Sequence, residues 1–163
     1  MKKILLILLL IFPLYLIASL YLLDKECFIS PVGYRRDIVI RSDNRGDGLF
    51  ASQRGGGTRL HNGIDLLADV GTPVLAARSG FVIAATNNPG MGKYVIIKHS
   101  GNITTIYGHL SRIDVSKNQF VRQGWMVGAV GKTGNANFRD MLPHLHFEVR
   151  SGGVPVDPFD YLR

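Results

Sequence analysis

"GKYVIIKHSGNITTIYGHLS", residues 92–111, holds two runs rich in β-branched and aromatic residues, joined by the turn-forming "HSGN". Branched side chains fit a pleated surface and Gly, Asn and Ser mark a turn, so the stretch reads as two short strands with a turn signal between them. In "KYVIIKH", alternation sets Tyr94, Ile96 and Lys98 on one face and Val95, Ile97 and His99 on the other. In "TTIYGHL" it groups Thr105, Tyr107 and His109 on one face, with His109 near the strand end beside Gly108.

Runs of the same kind recur outward from this stretch: "TPVLAA", "GFVIAAT", "WMVGAV" and "HLHFEVR", punctuated by "NNPG", "GKTGN" and "SGG". No stretch keeps a helical period long enough to compete. The expected fold is all-β, with antiparallel strands in a sandwich or barrel-like domain. "RGGG" at 54–57 reads as a loop, because a phosphate cradle would need a GK[ST] ending and a following helix. Residues 24–46 mix charge with Pro31 and Gly33 and read as a tether into a domain spanning 47–163.

The first 23 residues differ in kind. Lys2 and Lys3 precede "ILLILLLIFPLYLIASLYLL", residues 4–23, which carry no formal charge and, as one helix, would be about 30 Å long, the thickness of a hydrocarbon core. A retained N-terminal transmembrane helix is expected over 1–23 in preference to a cleaved signal sequence, whose apolar region is shorter and ends in small residues. With Lys2 and Lys3 on the cytoplasmic side, the rest of the chain is expected to be extracytoplasmic, in the periplasm or on the cell-wall side. Cleavage would instead release it as a secreted protein.

Cys27 is the single cysteine, so no intramolecular disulfide is possible, and "LLDKEC" lacks the small residues of a lipid-attachment site. The formal charge is +7; setting Lys2 and Lys3 aside leaves 17 basic and 12 acidic side chains, or +5. That excess favours anionic partners such as an envelope polymer. No nucleic-acid module is present, and the expected compartment argues against a nucleic-acid partner.

Four of the five histidines carry the chemistry. In "HLHFEVR" the pleat places His144, His146, Glu148 and Arg150 on one face and Leu145, Phe147 and Val149 on the other, core-facing side. Both imidazoles can reach one site, and spacing alone does not choose between them as metal ligands. "HNGID" sets His61 and Asp65 about 13 Å apart if fully extended, too far for one metal, so this segment has to bend, and Asn62-Gly63 supplies residues that turn readily. His109 is placed to join the cluster, whereas His99 reads as structural. Two imidazoles and a carboxylate are a usual set for catalytic zinc, and spare histidines are what acid–base work requires.

The segments "HNGIDLLADVGTPVLAARSGFVIAA", "GKYVIIKHSGNITTIYGHLS", "VRQGWMVGAVGKTG" and "PHLHFEVRSGGVPVDPFDYL" together resemble the lysostaphin-type (LytM-like) zinc metallopeptidases over roughly residues 47–162. The ordered set HxxxD, YxHL and HLHFE carries the resemblance. It implies an antiparallel β domain with a substrate groove that hydrolyses peptide bonds of bacterial peptidoglycan with one Zn2+ per chain. By motif, the zinc ligands would be His61, Asp65 and His146, and the catalytic pair His109 and His144. Which histidine is the base, and whether D-amino-acid cross-links or glycine bridges are cut, are left open, as are oligomeric state and any regulatory envelope partner.

Two departures from the family pattern stand out. "FASQR" has Ala51 where the FGxR-like element has glycine, and "TGNANFRDMLPHLH" is longer than the usual connection, so that residues 137–142 would sit beside the groove. A catalytically silent scaffold or activator of another wall hydrolase is the competing function; the full set of five site residues favours catalysis. Cupin-like oxygenases also use HxH on strands, but their glutamate lies farther beyond the second histidine than Glu148 does.

Overall fold

The computed structural model describes residues 11–19, 28–33 and 38–162. Two short hairpins, β1 (Ser42–Asp43) with β2 (Gly46–Asp47) and β3 (Gln53–Arg54) with β4 (Arg59–Leu60), precede the main sheet. Its nine strands are β5 (Ile64–Leu67), β6 (Pro73–Leu75), β7 (Gly80–Asn88), β8 (Gly92–Lys98), β9 (Ile103–Ile113), β10 (Phe120–Val121), β11 (Met126–Val130), β12 (His144–Ser151) and β13 (Val154–Val156). All pairings are antiparallel, and the order β10-β7-β8-β9-β11-β6 is joined by β12, which pairs with β9, β5 and β13. The all-β antiparallel expectation therefore holds, but in hydrogen-bonding terms the domain is one branched sheet and not two facing ones.

Branching follows from β9 changing partner along one edge. Ile103–Gly108 pair with β12, whereas Leu110–Ile113 pair with β11, and the other edge stays on β8. His109 lies at the changeover with a φ of 61°, in the left-handed region that residues other than glycine ordinarily avoid. The bulge breaks alternation. Thr105 and Tyr107 face the core, fully buried, and the Tyr107 hydroxyl accepts from the Ala77 N–H, while His109 turns out toward the groove. The strict period-2 grouping of His109 with Thr105 and Tyr107 is corrected accordingly.

The core lies on the opposite face of β12 from its histidines. Leu145, Phe147 and Val149 are fully buried with Val95, Ile97, Leu110 and Val127, and Phe147 packs its ring 5.4 Å from that of Tyr107. Fully burying one such side chain contributes about 1.5–3 kcal/mol, so this face holds the ladder rigidly under the site. His99 also lies inside, contacting the Ser79 carbonyl and Thr105 Oγ1, in keeping with a structural histidine. The loop read from "RGGG" is the β3–β4 connection, where Gly55, Gly56 and Gly57 all have positive φ.

The described residues bear on two expectations for the N-terminal part. Described residues of the expected tether already belong to the domain: Phe28 bridges to Leu162 and Val32 to Val74, both apolar side chains lying in the core, and Arg41 is 2% exposed. Of the expected membrane span only residues 11–19 are described; they are helical, with Ile11, Phe12, Leu14 and Tyr15 exposed. No helix among the described residues is long and apolar enough to cross a membrane. Residues 1–10 and 20–23, and Cys27, lie outside the described residues.

Candidate metal centre and its flanking histidines

Strand pairing assembles the site. His146 on β12 lies directly opposite Asp65 on β5, and His144 opposite Leu67, so the HxH pair and the aspartate share one face of a two-strand ladder. His61 reaches them because the chain bends at Asn62-Gly63 before β5 begins. The reason for Gly63 differs from the one expected. Its φ is not in the left-handed region; instead a Cβ there would fall 2.3 Å from the Phe147 carbonyl oxygen, so glycine permits the close approach of backbone to β12.

Three atoms converge. Asp65 Oδ1 lies 2.9 Å from His146 Nδ1 and 3.1 Å from His61 Nε2, and those two ring nitrogens are 3.0 Å apart. All three side chains are buried, and their ligating atoms lie within 4.8 Å of one another.

The outward contacts decide which nitrogen of each ring offers its lone pair. His61 Nδ1–H donates to the Leu49 carbonyl at 2.8 Å, which leaves Nε2 as the inward-facing atom. His146 Nε2–H donates to Glu148 Oε1 at 3.0 Å, which leaves Nδ1 facing Asp65. Glu148 is in turn held by Arg150 at 2.8 Å. Two nitrogen lone pairs and one carboxylate oxygen aimed at a common point, each backed by an outer hydrogen bond, fit a divalent cation, and the nitrogen-rich set suits zinc over calcium or magnesium.

His109 and His144 flank this cluster with the same orientation logic. His109 Nδ1–H donates to the Thr133 carbonyl at 2.9 Å and His144 Nδ1–H to the Leu142 carbonyl at 2.8 Å, so each presents Nε2 to the groove. Their rings are 5.0 Å apart, His109 is 5.7 Å from the His146 ring, and His144 Nε2 is 3.9 Å from Asp65 Oδ1. All five residues singled out from the sequence thus line one groove.

Electrostatics separates the histidines. Burial would lower the pKa of His146, but hydrogen bonds to Asp65 and Glu148 outweigh it and raise it to about 9. Burial also opposes the Asp65 charge, yet hydrogen bonds from His146 and His61 hold its carboxyl well below the usual carboxylate range. His109 is pushed down to about 3 by burial and by the charge on His146. Burial lowers His144 as well. The flanking pair is therefore neutral near neutral pH, each ring with an unprotonated Nε2 toward the groove.

Residues without an assigned role from sequence complete the site. Alternation already put Glu148 on the right face, and the His146-x-Glu148 spacing was its signal. Arg41 and Arg54 both donate to Asp65 Oδ2, at 2.9 and 3.2 Å; nothing local to their sequence points there. The 137–142 stretch forms one rim of the groove. Phe138 and Met141 line it, Lys132 Nζ donates to the Phe138 carbonyl, and Arg45 stacks 4.3 Å over the Phe138 ring while pairing with Asp140.

Comparison with known proteins places the chain in context. The profile described as Peptidase family M23 matches residues 59–158. Peptidoglycan DD-endopeptidase ShyA of Vibrio cholerae is 42% identical over 97 residues, covering 60% of this chain and 22% of that protein. A crystal structure of a zinc-containing peptidase from Vibrio cholerae superposes with a TM-score of 0.65 at 32% identity, covering 80% of this chain and 39% of that one. The catalytic domain of the antimicrobial peptidase lysostaphin from Staphylococcus simulans gives 0.61 at 30% identity, covering 73% of this chain and 91% of that domain. The chain spans about a quarter of the length of the curated relatives it matches.

Proposed function

The chain belongs to peptidase family M23, and from that premise we propose that it is a zinc-dependent endopeptidase cutting peptide cross-links or stem peptides of bacterial peptidoglycan. The observation that carries the reading is the convergence of His61 Nε2, His146 Nδ1 and Asp65 Oδ1, each oriented by a partner behind it. These three side chains would hold one zinc ion per chain. When bound, zinc would supply the Lewis acidity that polarises a scissile carbonyl and acidifies a water molecule.

The remaining chemistry belongs to the chain's own groups. His109 and His144 keep Nδ1 protonated against backbone carbonyls and offer Nε2 to the groove, so one accepts a proton from the attacking water and the pair returns a proton to the leaving amine. Glu148 holds the His146 ring through Nε2–H and sets which nitrogen faces inward. The Phe138–Met141 rim narrows access on one side and makes contact with the peptide beyond the scissile bond. The expected location is extracytoplasmic, where peptidoglycan lies.

Incubating the zinc-loaded full chain with purified peptidoglycan is expected to release new amino termini, and His146→Ala is expected to release none. Equal inactivity of both proteins across several wall chemistries would support the scaffold reading instead.

A further inference from the structure

The two oxygens of the Asp65 carboxylate have different neighbours. Oδ1 faces His61 and His146, whereas Oδ2 accepts from Arg41 and Arg54. The second terminal nitrogen of Arg41 donates to Asp43 Oδ1. Asp43 Oδ2 accepts the Leu142 N–H at 2.9 Å, and the carbonyl of the same Leu142 accepts the Nδ1–H of His144 at 2.8 Å. An unbroken run of hydrogen bonds therefore leads from the aspartate to a flanking histidine through two residues that lie before the stretch matched to the family.

Backbone contacts set the same segment against Asp65. Arg41 N–H donates to the Asp65 carbonyl, Gly48 N–H to the Arg41 carbonyl, and Asp65 N–H to the Gly48 carbonyl, each at 2.8 Å. A Cβ at Gly48 would lie 2.9 Å from that of Asp65, so the strap and the strand are in direct contact. Arg41 is 2% exposed, and the Asp43 side chain is 8% exposed. A buried guanidinium held between two carboxylates has one low-energy orientation, because its planar fork satisfies both at once.

We propose that Arg41 and Asp43 are positioning residues of this site. Arg41 turns Asp65 so that Oδ1 points at the two imidazoles, and Asp43 anchors the Leu142 peptide whose carbonyl fixes the His144 ring with Nε2 in the groove. The proposal rests on the metallopeptidase reading. A role for Arg41 as a mere charge has the opposite sign, since a cation beside the centre repels a second cation. Geometry and charge are therefore separable by experiment.

In the full chain, Arg41→Lys keeps the charge and loses the fork, and zinc affinity measured by chelator competition is expected to fall about 10–100-fold, the usual effect of removing an outer partner of a ligand. Asp43→Asn keeps the shape of the side chain and has a single oxygen with which to accept from both Arg41 and Leu142. Its zinc affinity is expected to fall by a smaller factor than in Arg41→Lys, because one of the two contacts that fix Arg41 is weakened. Solvent exchange of the His144 Nδ1 proton, followed by NMR, is expected to speed up about tenfold as the local opening free energy falls, and kcat on peptidoglycan to drop with KM unchanged. Melting curves establish that each variant is folded; should Arg41→Lys unfold, wild-type zinc affinity in folded Asp43→Asn would overturn the Asp65 half instead. Wild-type zinc affinity in folded Arg41→Lys would overturn the Asp65 half of the proposal, and wild-type proton exchange in Asp43→Asn the His144 half. Failure of the wild-type chain to bind zinc would overturn the metallopeptidase reading itself.

Discussion

Asp65 and His146 face one another directly across the β5–β12 ladder, with Oδ1 and Nδ1 2.9 Å apart. Without a cation, the contact is closed by a proton on Nδ1, since His146 also donates through Nε2 to Glu148 and its pKa stands at about 9. Any cation entering the centre has to displace that proton.

Zinc affinity is accordingly expected to rise about tenfold per pH unit from neutrality toward pH 9, because one proton leaves for each ion bound, and then to level off. Chelator competition at a series of pH values measures the slope. A flat profile over this range would show that His146 carries no displaceable proton.

Stability of the metal-free chain should move in the opposite direction. The folded His146 pKa of about 9 exceeds the unfolded value near 6.5. Between those values the native state binds more protons than the unfolded one, so stability falls as pH rises through the window and is fully retained below it. The full loss is on the order of 3 kcal/mol, an upper bound because His146 is coupled to two carboxylates. Urea denaturation with chelator present, at the two ends of the window, reads this change; the zinc-loaded chain should lack it.

Ligand and proton-handling histidines should separate by metal content. His61→Ala and His146→Ala are expected to lose stoichiometric zinc. His109→Ala and His144→Ala are expected to keep it while peptidoglycan cleavage falls about 10²–10⁴-fold, the usual contribution of general acid–base catalysis. Elemental analysis beside a cleavage assay distinguishes the two pairs, and loss of zinc from His144→Ala would reassign that residue as a ligand.

His109 holds a left-handed backbone at φ 61, where β9 leaves β12 for β11. Glycine adopts that conformation without a Cβ clash, so His109→Gly is expected to be more stable than His109→Ala by about 1–2 kcal/mol. Denaturant midpoints of the two variants give the difference directly. Equal midpoints would mean that the bulge relaxes once the imidazole is gone.

The alternation of Leu145, Phe147 and Val149 against His144, His146 and Glu148 was legible in the sequence because a strand has a period of two, and a core on one side leaves the other side for chemistry. The need for a bend between His61 and Asp65 was legible for a similar reason, since an extended chain cannot bring both to one ion. The use made of Gly63 was not, because the Phe147 carbonyl it accommodates belongs to a strand more than eighty residues away.

His109 marks where local pattern reading fails. Counting by twos puts it on one face with Tyr107, and the partner change in β9 that separates the two is a property of the whole sheet. Arg41 fails the same way, as a charged residue in a stretch read as a tether that is in fact buried against Asp65.

By itself, then, the sequence determined the β class, the five residues of the site and the family to which their motifs point, because those depend on short-range periodicity and residue chemistry. Only the tertiary structure decided which nitrogen of each imidazole faces inward, which oxygen of Asp65 faces the imidazoles, and that Arg41, Asp43 and Leu142 join the aspartate to His144. Those choices are made by hydrogen-bond partners distant along the chain, and strand register brings them within reach.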